Sequence, residues 1–252
     1  KIIMLTSILQ YSTIDFRFLE VQLKQLSKFS SEIIIPICDR LFNGEEEDSK
    51  LMKATLKAIE KFPKARVIHF KWDGLKETSR YYHNLSRQLG TKEAKNDWLL
   101  FVDTDEILTD EFEQWFESIK HENKAWWFTC HWYFREPIFR ARNSEVCGLL
   151  AHRSLLTENL FFTPLERWSY KLYNIPSMEN AEYNGLIMMH HFSWVKTKLQ
   201  MLQKVSSWGH HADKNWTELI EKEFEREFNG YDFVHGYRFE SVINQFNIEL
   251  TD

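Results

Sequence analysis

Short apolar runs alternate with segments of helical period through the first part of the chain, and this narrows the fold more than any other feature. The runs are "IIMLTSI" (residues 2–8), "EIIIPICD" (residues 32–39), "ARVIHF" (Ala65–Phe70) and "WLLFVD" (Trp98–Asp103). Between them Phe16, Leu19, Leu23 and Leu26 recur at helical spacing behind the cap candidates Ser12, Thr13 and Asp15. Met52, Leu56 and Ile59 mark a second helix, closed at Phe62-Pro63, and "KETSRYYHNLSRQLG" predicts a third ending at Gly90. Such alternation predicts an α/β fold with a mostly parallel sheet flanked by helices. The runs are continuously apolar, as strands covered on both faces should be.

The pattern changes after Asp103. Thr109 is expected to cap a short helix carrying Phe112, Trp115, Phe116 and Ile119. Aromatic strand candidates follow at Ala125–Phe134, residues 148–156 and residues 185–192, then two helices near residues 195–208 and 215–228. No repeat or linker breaks residues 1–252, which predicts one domain. With 43% apolar and 15% aromatic residues the chain can bury a sizeable core. A net charge of -5 without a basic stripe leaves no nucleic-acid footprint. The acid clusters at residues 45–48 and 218–227 read as solvated helix faces. Cys38, Cys130 and Cys147 lack disulfide or zinc-motif spacing, which predicts a reducing, cytoplasmic setting. "KIIMLTSILQ" is too short and too soon polar for a membrane span.

The fourth run ends on Asp103, Asp105 and Glu106. Crowded carboxylates repel one another, and a divalent cation is the natural counterweight. In open α/β sheets ligands bind beyond the carboxyl ends of the strands. Asp39 and Asp103 stand at such ends, and Thr6 and Ser7 are expected to close the first strand near the same edge. Asp105 is expected to be solvent-facing. Two acids at i, i+2 reach one ion if the chain bends there, and Mg²⁺ and Mn²⁺ favour carboxylate and phosphate oxygens. At about 4 Å and an effective dielectric near 20, each charge pair is worth roughly 4 kcal/mol. The plainer alternative is that these acids solvate a loop or cap the next helix.

With "LLFVDTDE" behind its strand–helix units, the chain over residues 1–110 resembles, in order of elements, a GT-A glycosyltransferase of the family 2-like kind. The resemblance implies a Rossmann-like GT-A fold: a nucleotide-sugar-binding half over residues 1–110, then an acceptor-binding half with C-terminal helices over residues 111–252. It implies that Asp39 contacts the donor's base or ribose and that Arg80 lies near the base and diphosphate. Asp103 would touch the ribose or a metal-bound water, and Asp105, aided by Asp103, would bind Mn²⁺ or Mg²⁺. The chain departs from the family pattern at "CDRLFNG", where an acidic-Gly-Ser loop is usual, and "SRYYHNLSRQLG" matches the usual Ala-Arg-Asn helix only loosely. The implied activity is transfer of a hexose or deoxyhexose from a nucleotide-diphosphate sugar, with UDP the expected carrier, to a hydroxyl of a glycan or other acceptor, with inversion.

A second dense stretch is "MMHHFSWVKTKLQMLQKVSSWGHHAD" (residues 188–213). In metal-dependent GT-A enzymes a late histidine often completes the metal shell. Only one of two neighbouring strand residues can face a given site, and His191 is preferred over His190. Lys196 and Lys204 would neutralise the diphosphate, unless they are solvent-facing helix lysines. Trp194 and Trp208 read as core, and His210 and His211 as a helix end. A base must take the acceptor's proton, and the candidates are Glu136, Glu166, Glu179 and Glu182. Glu166 is preferred because Arg167 and Trp168 flank it as charge partner and sugar platform. Trp126, Trp127, Trp132, Tyr133 and Phe134 read as acceptor groove or core. Three other classes compete. A haloacid-dehalogenase-like phosphatase would carry its DxD on the first strand. A nucleotidyltransferase would carry a Gly-rich loop where "TSILQYSTIDFR" has no Gly. A catalytically inactive sugar-binding relative would keep the same fold.

Overall fold

A computed structural model describes residues 4–74, 79–156, 178–207 and 213–250. Strand and helix alternate as expected through β1 (Leu5–Gln10), α1 (Phe16–Phe29), β2 (Glu32–Cys38), α2 (Ser49–Ile59), β3 (Ala65–Phe70), α3 (Ser79–Glu93) and β4 (Trp98–Asp103). These strands lie parallel in the order β3-β2-β1-β4. The chain steps outward from β1 to β3, then returns across α3 to lay β4 on the other side of β1. That reversal is the switch point at which an α/β sheet opens a crevice. β1 and β2 are buried along their whole length, which accounts for their unbroken apolar runs, whereas β3, at the sheet edge, is only partly covered.

The helices form for local reasons. α1 buries Leu19, Leu23 and Leu26, which recur on one face. α2 begins at Asp48, whose carboxylate accepts from the backbone N–H groups of Lys50 at 2.8 Å and Leu51 at 2.9 Å. α3 does not stop at Gly90. It continues to Glu93, and Gly90 lies so close to β1 that an added Cβ would stand 2.6 Å from Ile8 Cγ2. Here glycine serves close packing and not helix termination. α4 (Glu111–Ile119) starts behind Asp110 and not Thr109. The Asp110 carboxylate accepts from Gln25 Nε2 and Lys28 Nζ, both at 2.6 Å, and so ties α4 to α1.

The second half extends the sheet with β5 (Glu106–Leu108), β6 (Ala125–Phe134), β7 (Phe139–His152), β8 (Met178–Ala181), β9 (Met189–Trp194) and β10 (Phe239–Ser241), and adds α5 (Lys198–Ser207) and α6 (Trp216–Glu223). The order becomes β3-β2-β1-β4-β7-β6-β9-β5, with β8 on β6 and β10 on β7. β7 runs antiparallel to both β4 and β6. Trp126, Trp132, Tyr133 and Phe134 are buried, so these aromatics belong to the core and not to an acceptor groove. Trp115 meets Trp126 and Phe128 edge-on, each at a ring separation of 5.7 Å. Among the described residues, no helix is long and apolar enough to cross a membrane.

Candidate functional site

The site begins with a turn. Thr104 donates to the carbonyl of Gln10, at the end of β1, from its N–H at 3.0 Å and its Oγ1 at 2.6 Å. The Glu106 carboxylate accepts from the Asp103 N–H at 2.8 Å. Gln22 of α1 gives its amide to the carbonyls of Asp103 at 3.2 Å and Glu106 at 2.5 Å. The chain therefore leaves β4 in a braced reversal and enters β5, where Glu106 stands opposite His191 of β9.

Asp105 sits inside this reversal with an exposure of only 4%, so it is not the solvent-facing residue expected of a strand end. Its Oδ1 lies 3.7 Å from His191 Nε2 and its Oδ2 lies 3.8 Å from Lys196 Nζ. Lys196 is buried, not a solvent-facing helix lysine, and donates to Asp15 Oδ1 at 2.6 Å. Burial alone would disfavour the charged His191. A hydrogen bond with Cys130 and the charges of Asp105 and Glu106 outweigh it and raise the imidazole to about 9. Asp103 Oδ1 lies 3.5 Å from Arg87 Nη2. Lys204 donates to Ser193 Oγ at 2.8 Å, and burial together with the Lys196 charge holds its ammonium below the usual lysine range.

These groups open on one cavity of about 320 Å³ at the carboxyl edge of β1 and β4. Asp103, Asp105, Arg80, His191 and Lys204, all singled out in the sequence, line it together. His190 faces the other way, with Nδ1 2.8 Å from Tyr133 Oη and Nε2 2.9 Å from Gln245 Nε2. Lys196 stands behind Asp105. Asp39 is exposed beside the cavity, between the lining residues Cys38 and Arg40, and its Oδ1 accepts from the Trp72 N–H at 2.8 Å.

The remaining candidates do not line this cavity or lie outside the described residues. Thr6 lies at the start of β1, because the strand runs on to Gln10. Its Oγ1 donates to Glu32 Oε2 at 2.8 Å and accepts from Asn96 Nδ2 at 3.0 Å, inside the protein and away from the cavity. Glu136, Glu179 and Glu182 are exposed and do not line the cavity, and Glu179 pairs with Lys124 at 3.1 Å. Glu166, Arg167, Trp168, Trp208, His210 and His211 lie outside the described residues.

Arg87, Asp15 and Glu47 are among the lining residues that the sequence reading gave no role in the site. Arg87 follows Arg80 by seven positions, two turns of one helix, and that spacing was the available signal. Asp15 reads as a helix cap until its distant partner Lys196 is seen. Glu47 sits in an acidic run taken for a solvated face, yet it accepts from the Thr13 N–H at 3.3 Å, and burial raises its carboxyl above the usual range. In donor chemistry, the carboxylates of Asp103 and Asp105 with the His191 imidazole suit Mn²⁺ or Mg²⁺.

No protein-family model and no curated protein matches this chain. Among solved structures it is similar to residues 1–349 of S. aureus TarS, at 13% identity and a TM-score of 0.51, covering 88% of this chain and 72% of that one. The same fragment in complex with UDP-GlcNAc aligns at 12% identity and a TM-score of 0.49, with the same shares covered, 88% and 72%. The glycosyltransferase GlyE of Streptococcus pneumoniae aligns at 13% identity and a TM-score of 0.45, covering 87% of this chain and 63% of that one. At these identities the likeness concerns the fold alone: a mixed α/β, mostly parallel sheet flanked by helices, as in TarS.

Proposed function

We propose that this chain is a metal-dependent glycosyltransferase that moves a sugar from a nucleotide diphosphate, UDP first among the candidates, to an acceptor hydroxyl. One observation carries the reading. At the switch point of the sheet, Asp103, Asp105 and His191 share a single cavity with the cations Arg80, Arg87 and Lys204. Acids alone would suit a cation and bases alone a phosphate; the two together suit a divalent ion paired with a diphosphate. Asp105, Asp103 and His191 would hold Mn²⁺ or Mg²⁺. The bound ion would neutralise charge growing on the departing diphosphate. Arg80, Arg87 and Lys204 would meet the phosphate oxygens, and Lys196, its Nζ 3.8 Å from Asp105 Oδ2, orients that carboxylate. Tyr11 and Phe42 supply apolar faces that suit a nucleobase. Glu166 is the proposed base, taking the acceptor's proton as its oxygen attacks the sugar carbon in line, which inverts that carbon.

The test is a thermal-shift series with UDP-, GDP-, TDP- and CMP-linked sugars, each with and without Mn²⁺. A donor at 100 times its Kd stabilises by about 2.7 kcal/mol, or about 5 °C for a chain of this size. One donor class should do so in the presence of Mn²⁺, and Asp105→Asn should remove the response. Stabilisation by no donor, or an undiminished response in Asp105→Asn, overturns the reading.

A further inference from the structure

On the β6–β7 side of the cavity stands a cluster of which the transfer chemistry uses only His191. Cys130, Cys147 and His191 offer two sulfurs and a nitrogen, all within 4.8 Å of one another. The sheet register brings them together. Cys130 of β6 pairs with Met189 of β9, and Cys147 of β7 pairs with Phe128, two residues before Cys130. Residues two apart share a face, so Cys130 and Cys147 fall diagonally on one side, with Met189 and His191. A bulge opposite Trp126–Phe128 makes the fit. There Gly148 adopts φ +61°, and an added Cβ would stand 3.0 Å from Phe128 and 3.1 Å from Met189. The Met189 thioether is thereby tucked 3.0 Å from Cys147 Sγ. Neither cysteine is in a disulfide, and Cys147 and His191 line the cavity, so an ion has a way in.

We propose that Cys130, Cys147 and His191 form a binding site for a thiophilic cation of the Zn²⁺ type, separate in chemistry from the carboxylate site. Two thiolates and an imidazole are a donor set that zinc takes, with a fourth position left to water. Zn–S bonds of about 2.3 Å and a Zn–N bond of about 2.0 Å ask for ligand separations of roughly 3.5–3.8 Å, inside the 4.8 Å within which the three atoms lie. Binding forms two Zn–S bonds and one Zn–N bond and releases two thiol protons and the imidazolium proton to solvent. Sulfur selects zinc over Mn²⁺ and Mg²⁺, which prefer the oxygen donors of Asp103 and Asp105. Because His191 reaches both sets, zinc should withdraw it from Asp105; this last step rests on the transferase reading, and the site itself does not.

The test titrates the reduced protein with Co²⁺, then Zn²⁺. One equivalent of Co²⁺ should give thiolate-to-metal charge transfer and the intense visible bands of a tetrahedral ion. Proton release should accompany the Co²⁺ step, a readout that needs no variant, and zinc should then bleach the bands with no further release. Cys130→Ser and Cys147→Ser should lose the charge-transfer intensity while Cys38→Ser keeps it. Absence of the bands, their survival in both Ser variants, or their loss in Cys38→Ser overturns the site. Zinc that binds yet leaves Mn²⁺-dependent donor stabilisation intact overturns the sharing of His191.

Discussion

Replacing Lys196 by Met removes one buried charge and keeps the bulk of the side chain. The ammonium lies 2.6 Å from an Asp15 oxygen and 3.8 Å from an Asp105 oxygen. With an effective dielectric near 20, these attractions are roughly 6 and 4 kcal/mol. Two corrections shrink the sum. The buried ammonium costs several kcal/mol to desolvate, a penalty the variant escapes. Asp15 keeps 22% of its side chain in water, so its share is screened. What remains is the about 3–5 kcal/mol typical of breaking a buried pair and stranding its partner. For a chain of this length about 2 °C accompanies each kcal/mol, so Tm should fall by about 6–10 °C in EDTA. Mn²⁺ should then recover more of the loss in Lys196→Met than it adds to the wild type, because it restores positive charge beside Asp105. Scanning calorimetry of both proteins, with EDTA and with Mn²⁺, reads both effects. A fall below about 2 °C would refute the buried-pair reasoning, and equal Mn²⁺ effects in the two proteins would refute the placement of the ion.

Glu166→Gln should cut turnover by at least about 100-fold with donor stabilisation unchanged, while Glu136→Gln, Glu179→Gln and Glu182→Gln keep full turnover; initial-rate assays separate the four. Burial, with the nearby charges of His131 and Arg140, pushes His190 down to about 3. Between the ordinary value near 6.5 and about 3, the unfolded chain therefore binds a proton that the folded chain refuses. The stability contributed is complete above pH about 6.5 and lost as pH falls toward 3, and urea midpoints across that window should show a slope that His190→Gln flattens. Gly90→Ala drives a methyl group into Ile8 and should cost about 1–3 kcal/mol by overpacking, read as a lowered urea midpoint with m unchanged; a neutral result would mean α3 lifts freely from β1.

Much of this architecture was legible because its signals are local. The unbroken apolar runs of β1, β2 and β4 report burial on both faces, and "LLFVDTDE" announces a strand that ends on charge. Alternation along a strand says that only one of His190 and His191 can face the cavity; that it is His191 comes from the pairing of β9 with β5. What stayed hidden depends on partners far along the chain. Lys196 reads as a diphosphate-neutralising or a surface lysine, and not as a buried ion-pair partner, because Asp15 lies 181 positions away. Thr6 was misplaced because nothing local says that β1 runs on to Gln10, where β4 ends beside it. β7 was read from residue 148 onward because its first half, "FRARNSEV", is polar; pairing with β6 and β10 holds it in the sheet. The grouping of Cys130, Cys147 and His191 follows from a bulge at Gly148, and linear spacing carries no trace of it.

The pairing of β5 with β9 stores part of the chemistry as phase. If β9 slid by one position, His190 would arrive opposite Glu106, and an imidazole would still look into the cavity. The slide would also swing Phe192 out of its nest with Phe18 and Tyr133, push the His191 imidazole into that apolar place, and bring the phenyl ring to where Ser193 lines the cavity. A phenyl ring that never borders the cavity is thus what decides which of two adjacent histidines may serve there.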